Sequence, residues 1–217
     1  MTDAHFHRGG FGTWLVRNGR ETAFYGVHPW QAADGMDVGA ACAAVRARLA
    51  SDPAAGVGEI GLDRLKTREV PAAQRALFAA QLALAADLGR PVVLHGAKCW
   101  GQVVAACRAH AGRVPAFLFH GFSRSAGLLP EIFALNGFVS VGPALLNDHA
   151  ANYRALAKDL PLDRVLLETD EEWAEEAAHA ARLAALLRKL AELRGCAEAA
   201  LAAAVAGNAA RFAEARA

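Results

Sequence analysis

Short apolar runs with the character of β-strands alternate with helix-like segments along most of the 217-residue chain. This alternation favours a parallel sheet with helices packed on its outside. Seven strands are predicted, one fewer than in a standard barrel, because the glycine-rich segment 8–20 is interpreted as a loop. We therefore predict one α/β domain, residues 1–217, folded as a TIM-like β/α barrel that is distorted and has seven parallel strands. The predicted strands are 2–7, 22–27, 57–62, 91–95, 114–119, 138–141 and 165–167.

The predicted strand 57–62 carries one charged residue, Glu59, with glycines beside it. Burying an unpaired carboxylate is costly, so this side chain should be neutralised, pair with a cation or bind a metal. A structural salt bridge is the ordinary explanation for an isolated glutamate. The metal interpretation is favoured here because potential ligands lie at or just past the ends of other strands. They are His5, His7, His95, His120 and Asp170.

The histidines are spaced so that they should meet at one face of the barrel. His5 and His7 are two residues apart on the first strand, so they project to the same side, with Asp3 behind them. His95 and His120 each end an apolar strand. The carboxyl ends of all the strands converge on one face of a β/α barrel, where reacting groups gather. We therefore expect a metal site at this mouth.

The second predicted strand runs into His28-Pro29-Trp30. Pro29 stops the hydrogen-bond ladder, and Trp30 can form part of a pocket wall. A histidine in such a position is more often a hydrogen-bonded wall residue than a metal ligand. His28 is therefore assigned to substrate binding.

Overall charge and cysteine content exclude some classes of protein. The formal net charge is +1, so no basic surface indicates nucleic acid, and a polyanion must be bound locally. The four cysteines are scattered and are interpreted as reduced residues. The sequence shows no signal peptide and no apolar run that could cross a bilayer. We expect a cytoplasmic protein without membrane association, and we infer no obligate protein partner.

Several stretches, taken in order, resemble the motifs of the TatD family of metal-dependent hydrolases, which belongs to the amidohydrolase-like barrels. The resemblance covers nearly the whole chain and implies a DNase-like hydrolase that uses two divalent ions and acts on DNA or nucleotides. The stretches are Asp3-Ala4-His5-Phe6-His7, Gly26-Val27-His28-Pro29, Gly58-Glu59-Ile60-Gly61-Leu62-Asp63, Pro91-Val92-Val93-Leu94-His95, His120-Gly121-Phe122-Ser123, Leu166-Leu167-Glu168-Thr169-Asp170 and Asn208-Ala209-Ala210-Arg211-Phe212.

The resemblance also implies a role for each candidate ligand. His5 and His7 are implied to hold one ion, which Asp170 completes. His95 and His120 are implied to hold the other, and Glu59 bridges the two. Two such ions can activate a water and stabilise the attacking and leaving oxygens of a phosphodiester, with Glu59 and Asp170 as the catalytic carboxylates and Asp170 as ligand, general base or both.

Asp3 and Asp63 are assigned to orienting a ligand histidine or a loop, with ordinary helix or turn capping as the alternative. Histidine-rich ligation favours zinc, manganese, iron or nickel over magnesium, but the sequence does not choose among these metals.

The chain departs from the family pattern at two places that bear on the substrate. Ala97 stands where the family usually has an arginine, so substrate binding is assigned to two nearby cations, Lys98 and Arg124. Glu171 and Glu172 stand where the family usually has Ser-Pro, and they add negative charge. These departures keep two alternatives open: a metal-dependent hydrolase of small lactones or amides, and a metal-binding barrel without catalysis.

Overall fold

The computed structural model of the chain describes residues 1–9, 12–123, 126–173 and 175–216. Within this part of the chain, eight strands form one sheet in which each strand lies beside the next in sequence. The strands are β1 (Thr2–His7), β2 (Thr13–Arg17), β3 (Arg20–Tyr25), β4 (Gly56–Asp63), β5 (Val92–Ala97), β6 (Phe117–Phe119), β7 (Gly137–Val141) and β8 (Val165–Leu167). The helices are α1 (Val38–Ser51), α2 (Ala72–Asp87), α3 (Trp100–Arg108), α4 (Leu129–Ala134), α5 (Ala151–Asp159), α6 (Glu176–Arg194) and α7 (Glu198–Ala213).

The sheet curves into a nearly closed barrel. Strands β3 to β8 pair in parallel, and main-chain hydrogen bonds join β1 to the segment that follows β8. The Asp170 amide donates to the His5 carbonyl at 3.0 Å, and the Trp173 amide donates to the His7 carbonyl at 2.8 Å. The predicted TIM-like β/α barrel is therefore confirmed.

The predicted strand count is wrong by one, because residues 8–20 are not simply a loop. They contain β2, which pairs antiparallel with both β1 and β3. Asn18 and Gly19 connect β2 to β3 with positive φ angles of 50° and 82°. Asn-Gly between two apolar strands is a strong hairpin signal, because both residues tolerate this conformation. The seven predicted strands are the seven that run in one direction, and β2 is an added antiparallel strand.

The helix boundaries follow familiar sequence signals. Pro71 directly precedes α2, and Gly195 ends α6 in the left-handed conformation with a φ of 63°. Asp37 caps α1 by accepting a hydrogen bond from the Ala40 amide at 2.9 Å. In the described residues, no helix has the length and apolar character needed to span a lipid bilayer.

The last helix closes the end of the barrel opposite the predicted site. The centroid of the Phe212 ring of α7 lies 5.5 Å from that of Phe24 of β3 and 6.0 Å from that of Phe138 of β7. These two strands lie on opposite sides of the barrel. Asn208 fixes this helix by donating to the carbonyls of Leu162 and Val165 at 2.9 and 2.8 Å. The buried aromatic cluster leaves the carboxyl ends of the strands as the open mouth.

Strand β4, which carries Glu59, is buried along its whole length. Gly61 has a φ of 155°, and a Cβ atom there would overlap the main-chain carbonyl of His95 on β5. Only glycine allows this close approach of the two strands. The approach brings the side chains of Glu59 and His95 together.

Candidate metal centre

Glu59 lies at the centre of a ring of imidazoles and is only 3% exposed. Its Oε1 atom is 2.6 Å from His120 Nε2 and 2.7 Å from His95 Nδ1. The same oxygen is 3.6 Å from His28 Nε2, while Oε2 is 3.5 Å from His5 Nε2. The buried carboxylate thus faces imidazoles from β1, β5 and the segments that follow β3 and β6.

Asp170 faces the other side of the ring. Its Oδ1 atom is 3.4 Å from His7 Nε2 and 3.5 Å from His5 Nε2. The Asp170 side chain is 43% exposed, in contrast to Glu59. The structure therefore brings together all six side chains that the sequence predicted as metal ligands: His5, His7, Glu59, His95, His120 and Asp170.

The donor set fits a divalent metal. Three groups of side chains each offer ligand atoms that lie within 4.8 Å of one another. Both ring nitrogens of His5 are buried without a hydrogen-bond partner, a costly state that a bound cation would relieve. Imidazole nitrogens and carboxylate oxygens suit zinc, manganese, iron and nickel. The three groups are His5–His120–Asp170, His5–His7–Glu59 and His28–Glu59–His95.

Both carboxylates are held in the charged form. Burial alone raises the pKa of the Glu59 carboxyl, but the imidazoles, chiefly that of His120, hold it well below its usual range. Burial likewise raises the pKa of Asp170, and the imidazoles of His5 and His7, whose Nε2 atoms lie 3.5 and 3.4 Å from its Oδ1 atom, outweigh this and lower it. The mouth therefore presents two anionic ligands at neutral pH.

The imidazoles divide into two groups. Burial lowers the pKa of His120, but the charges of Glu59 and Glu168 raise it well above its usual value. Burial also lowers the pKa of His95, and its contacts with Asp63 and Glu59 reverse this and raise it. By contrast, burial dominates at His28 and lowers its pKa. His28 is therefore more inclined to be neutral than His95 or His120.

Asp63 contacts His95 and the rim of the mouth. Its Oδ2 atom lies 3.1 Å from His95 Nε2 and accepts a hydrogen bond from Trp30 Nε1 at 2.7 Å. Its Oδ1 atom accepts from the Leu65 amide at 2.6 Å. Burial raises the pKa of Asp63, but these contacts, led by that with His95, lower it to about 2. The charged Asp63 thus orients both the imidazole and the rim of the mouth.

Asp3 is hydrogen-bonded to β1 and to the loop that follows β8. It accepts hydrogen bonds from the His5 amide at 3.1 Å, from the Thr169 amide at 3.1 Å and from Thr169 Oγ1 at 2.6 Å. His179 Nε2 of α6 lies 2.9 Å from Asp3 Oδ2. The buried Asp3 therefore ties β1 to the loop that presents Asp170.

Two supporting residues were missed in the sequence. Glu168 is buried, accepts from the Gly121 amide at 2.6 Å and from the Ser140 hydroxyl, and lies 3.8 Å from His120 Nδ1. Its place two residues before Asp170 was the available signal. His179 lies in an alanine-rich helix, and no pattern distinguished it.

The predicted substrate residues have different outcomes. His28 is one of the imidazoles that surround Glu59, and so it lies among the predicted ligands and not in the outer wall of the pocket. Lys98 is exposed and lines a cleft of about 630 Å³ that also contains His95, His120 and Asp170. Arg124 lies outside the residues that the structure describes, and so does Ser125.

The two glutamates after Asp170 are already engaged. Glu171 Oε1 is 3.1 Å from Arg182 Nη2, and Glu172 accepts a hydrogen bond from the Gly9 amide at 2.6 Å. Glu171 is therefore paired with a cation of the chain, whereas Glu172 keeps its negative charge and is held by a neutral amide.

Comparison with known proteins gives consistent matches. The family model for TatD-related DNases matches residues 13–214. The 3'-5' ssDNA/RNA exonuclease TatD of Edwardsiella piscicida is 34% identical over 146 residues, 67% of this chain and 55% of that protein. The uncharacterized metal-dependent hydrolase YabD of Bacillus subtilis is 27% identical over 148 residues, 68% of this chain and 57% of that protein. The chain thus spans about half the length of the curated relatives it matches.

Solved structures agree with the fold. The crystal structure of YJJV, a TatD homolog from Escherichia coli K12, superposes with a TM-score of 0.73 and 26% identity over 87% of this chain and 75% of that chain. A TatD family hydrolase from Entamoeba histolytica superposes with a TM-score of 0.67 at 13% identity, over 87% of this chain and 73% of that chain. With the family model matching residues 13–214, the chain belongs to the family of TatD-related DNases.

Proposed function

We propose that the chain is a metal-dependent hydrolase that cleaves phosphodiester bonds of single-stranded DNA or RNA. The observation that carries this proposal is the buried Glu59 carboxylate, which faces four imidazoles at the open mouth of the barrel. The name of the Edwardsiella piscicida relative, an ssDNA/RNA exonuclease, supports this choice of substrate. We propose that residues 1–217 act as one domain.

We propose two divalent ions that would share Glu59 as a ligand. His5, His7 and Asp170 would hold the first ion, and His95 and His120 would hold the second. When bound, the ions supply Lewis-acid activation of a water molecule and of the phosphate group. Asp170 is the exposed carboxylate, so it is the one that can meet an incoming water and accept its proton.

His28 is proposed to contact the phosphate. Its Nδ1 atom accepts a hydrogen bond from the Trp30 amide at 3.1 Å, so Nε2 carries the proton in the neutral ring. Nε2 points toward the site, 3.6 Å from Glu59 Oε1. The lowered pKa of His28 keeps this ring a neutral hydrogen-bond donor, which does not compete as a cation with the metals. Lys98 and Arg124 are proposed to add charge at the rim.

The alternative of a small lactone or amide substrate rested partly on the charge of Glu171 and Glu172. The ion pair of Glu171 with Arg182 offsets one of these two charges, which weakens this argument against an anionic substrate. We further propose a cytoplasmic location, supported by four cysteines that remain free thiols, and no obligate protein partner.

The test compares substrates on the same metal-loaded preparations. Protein is stripped with chelator, reloaded with zinc, manganese, nickel, iron or magnesium, and assayed for metal content and for hydrolysis of single-stranded DNA, single-stranded RNA, lactones and amides. We expect metal-dependent cleavage of the nucleic acids. Hydrolysis of only the lactones or amides would overturn the proposal, and bound metal with no hydrolysis at all would favour a non-catalytic barrel.

A further inference from the structure

Trp30 is an exposed aromatic residue beside the metal-binding ring. Its side chain is 62% exposed, the largest exposed fraction of any large apolar side chain in the described residues. Its ring centroid lies 4.8 Å from the His28 ring and 6.3 Å from the His95 ring. A tryptophan so open to solvent at the mouth of a site has a broad apolar face available to a ligand.

The ring is held in place by hydrogen bonds to the site. Trp30 Nε1 donates to Asp63 Oδ2 at 2.7 Å, and the Trp30 amide donates to His28 Nδ1 at 3.1 Å. Because the only polar atom of the indole is already bonded, the exposed part of the indole is apolar. The other Asp63 oxygen accepts a hydrogen bond from the amide of Leu65. Leu65 is also an exposed apolar residue, at 51%. Asp63 therefore presents two apolar side chains at the rim and contacts His95 as well.

The chemistry of such a platform matches a nucleobase. Proteins that bind single strands stack bases on aromatic side chains without regard to sequence, because every base has a π-face. A phosphodiester bound at the proposed metal centre has a base attached within a few bonds of the phosphate, and this base can reach the neighbouring rim. A lactone or a simple amide offers no comparable planar ring.

We propose that Trp30 is a stacking platform for a nucleobase adjacent to the bond that is cleaved. The inference rests on the proposed function and names its substrate as an unpaired strand, whose bases are free to stack. Trp30 binds substrate without entering the bond-breaking step, so its loss should affect KM more than kcat.

The experiment removes the ring and the base separately. The variants are Trp30→Ala and Trp30→Phe, and the substrates are a short oligothymidylate and its abasic counterpart with the same backbone. We expect Trp30→Ala to raise KM on the oligothymidylate by about 10-fold, within the range found for base–aromatic stacking. Trp30→Phe keeps a ring but loses the bond to Asp63, and it should stay close to wild type. On the abasic strand, wild type and Trp30→Ala should have equal KM.

A second readout does not depend on turnover. Binding of a hydrolysis-resistant phosphorothioate oligothymidylate to the metal-loaded protein is followed by fluorescence anisotropy, with the same expected 10-fold loss in Trp30→Ala. Leu162→Ala is the matched control, since Leu162 is 45% exposed and precedes β8, at the far end of the barrel.

The two proposals fail in different ways. Binding of the strand without cleavage would reject the hydrolase proposal, but the binding assay would still measure the contribution of Trp30 to affinity. An equal loss on normal and abasic strands, a wild-type affinity in Trp30→Ala, or no strand binding by the loaded wild type would each overturn the stacking proposal.

Discussion

Glu59 Oε1 lies 2.6 Å from Nε2 of His120, and both side chains are buried. In the metal-free protein this contact is an ion pair, since the pKa of His120 is raised well above its usual value and that of Glu59 is held well below. A proton and a divalent ion compete for the same imidazole nitrogen. The pair therefore links metal affinity to pH.

Metal binding should release protons near neutral pH. The pKa values of His7, His95 and His120 are all raised from 6.5, so in the metal-free protein these imidazoles stay protonated to a higher pH than free histidine. Metal needs them neutral, so affinity should fall as the pH drops from about 8 to about 6. Calorimetric titrations with zinc in buffers of different ionisation enthalpy measure the protons released.

The control for this titration is His110→Ala, because the half-buried His110 follows the C-terminal end of α3, away from the predicted ligands, and burial lowers its pKa. That variant should release as many protons as the wild type. A binding enthalpy that is independent of the buffer would contradict the prediction.

Replacing Glu59 with glutamine should remove the bridging charge without changing the size of the side chain. We expect Glu59→Gln to lose most bound metal and at least about 100-fold in kcat/KM, because four imidazoles then lack their anionic partner. Metal analysis after dialysis and single-strand cleavage rates test this. Glu131→Gln, which breaks a surface pair with Arg108, should retain both properties.

The sequence predicted the clustering of the candidate ligands better than it predicted the path of the chain between β1 and β3. Glu59 and the histidines at strand ends were predictable because parallel strands bring their carboxyl ends to one face. Strand β2 was missed because glycines near residues 9–12 outweighed the Asn18-Gly19 hairpin signal. The approach of His28 to Glu59 depends on the path of the loop after β3, which local patterns do not encode. Tertiary packing alone brings His179 to Asp3.

Glu168 is expected to position His120 rather than to bind substrate. Glu168→Gln keeps an acceptor for the Gly121 amide but removes the charge that lies 3.8 Å from His120 Nδ1. We expect activity to fall about 10- to 100-fold, with weaker metal binding at the second site and unchanged KM. Rates measured across metal concentrations separate the weaker metal binding from a slower reaction of the metal-loaded enzyme. A loss confined to KM would show that Glu168 acts on the substrate instead.

Asp3 should contribute mainly to stability. Asp3→Ala leaves the His5 amide, the Thr169 amide and the Thr169 hydroxyl buried without their acceptor, at a cost of about 1–3 kcal/mol for each group. Urea unfolding of the metal-free protein should therefore show a loss of at least about 3 kcal/mol. Asp37→Ala, which removes only the cap of α1, should cost about 1 kcal/mol. Similar losses in both variants would mean that the Asp3 contacts are replaced by water.

Lys98 and Arg124 should differ in what they contribute to substrate binding. Lys98 is exposed at the rim of the cleft, where an ammonium acts as a single screened charge, so Lys98→Ala should raise KM only about 2- to 5-fold.

Arg124 follows His120 by four residues, and a guanidinium can bind two phosphate oxygens at once. Arg124→Ala should therefore cut kcat/KM by about 10-fold or more, with metal content unchanged. Cleavage rates at low and high salt provide the measurement, and Lys158→Ala, in the last turn of α5, serves as the control for loss of an exposed charge. Wild-type rates in Arg124→Ala would leave Lys98 and the metal ions as the groups that bind the phosphate.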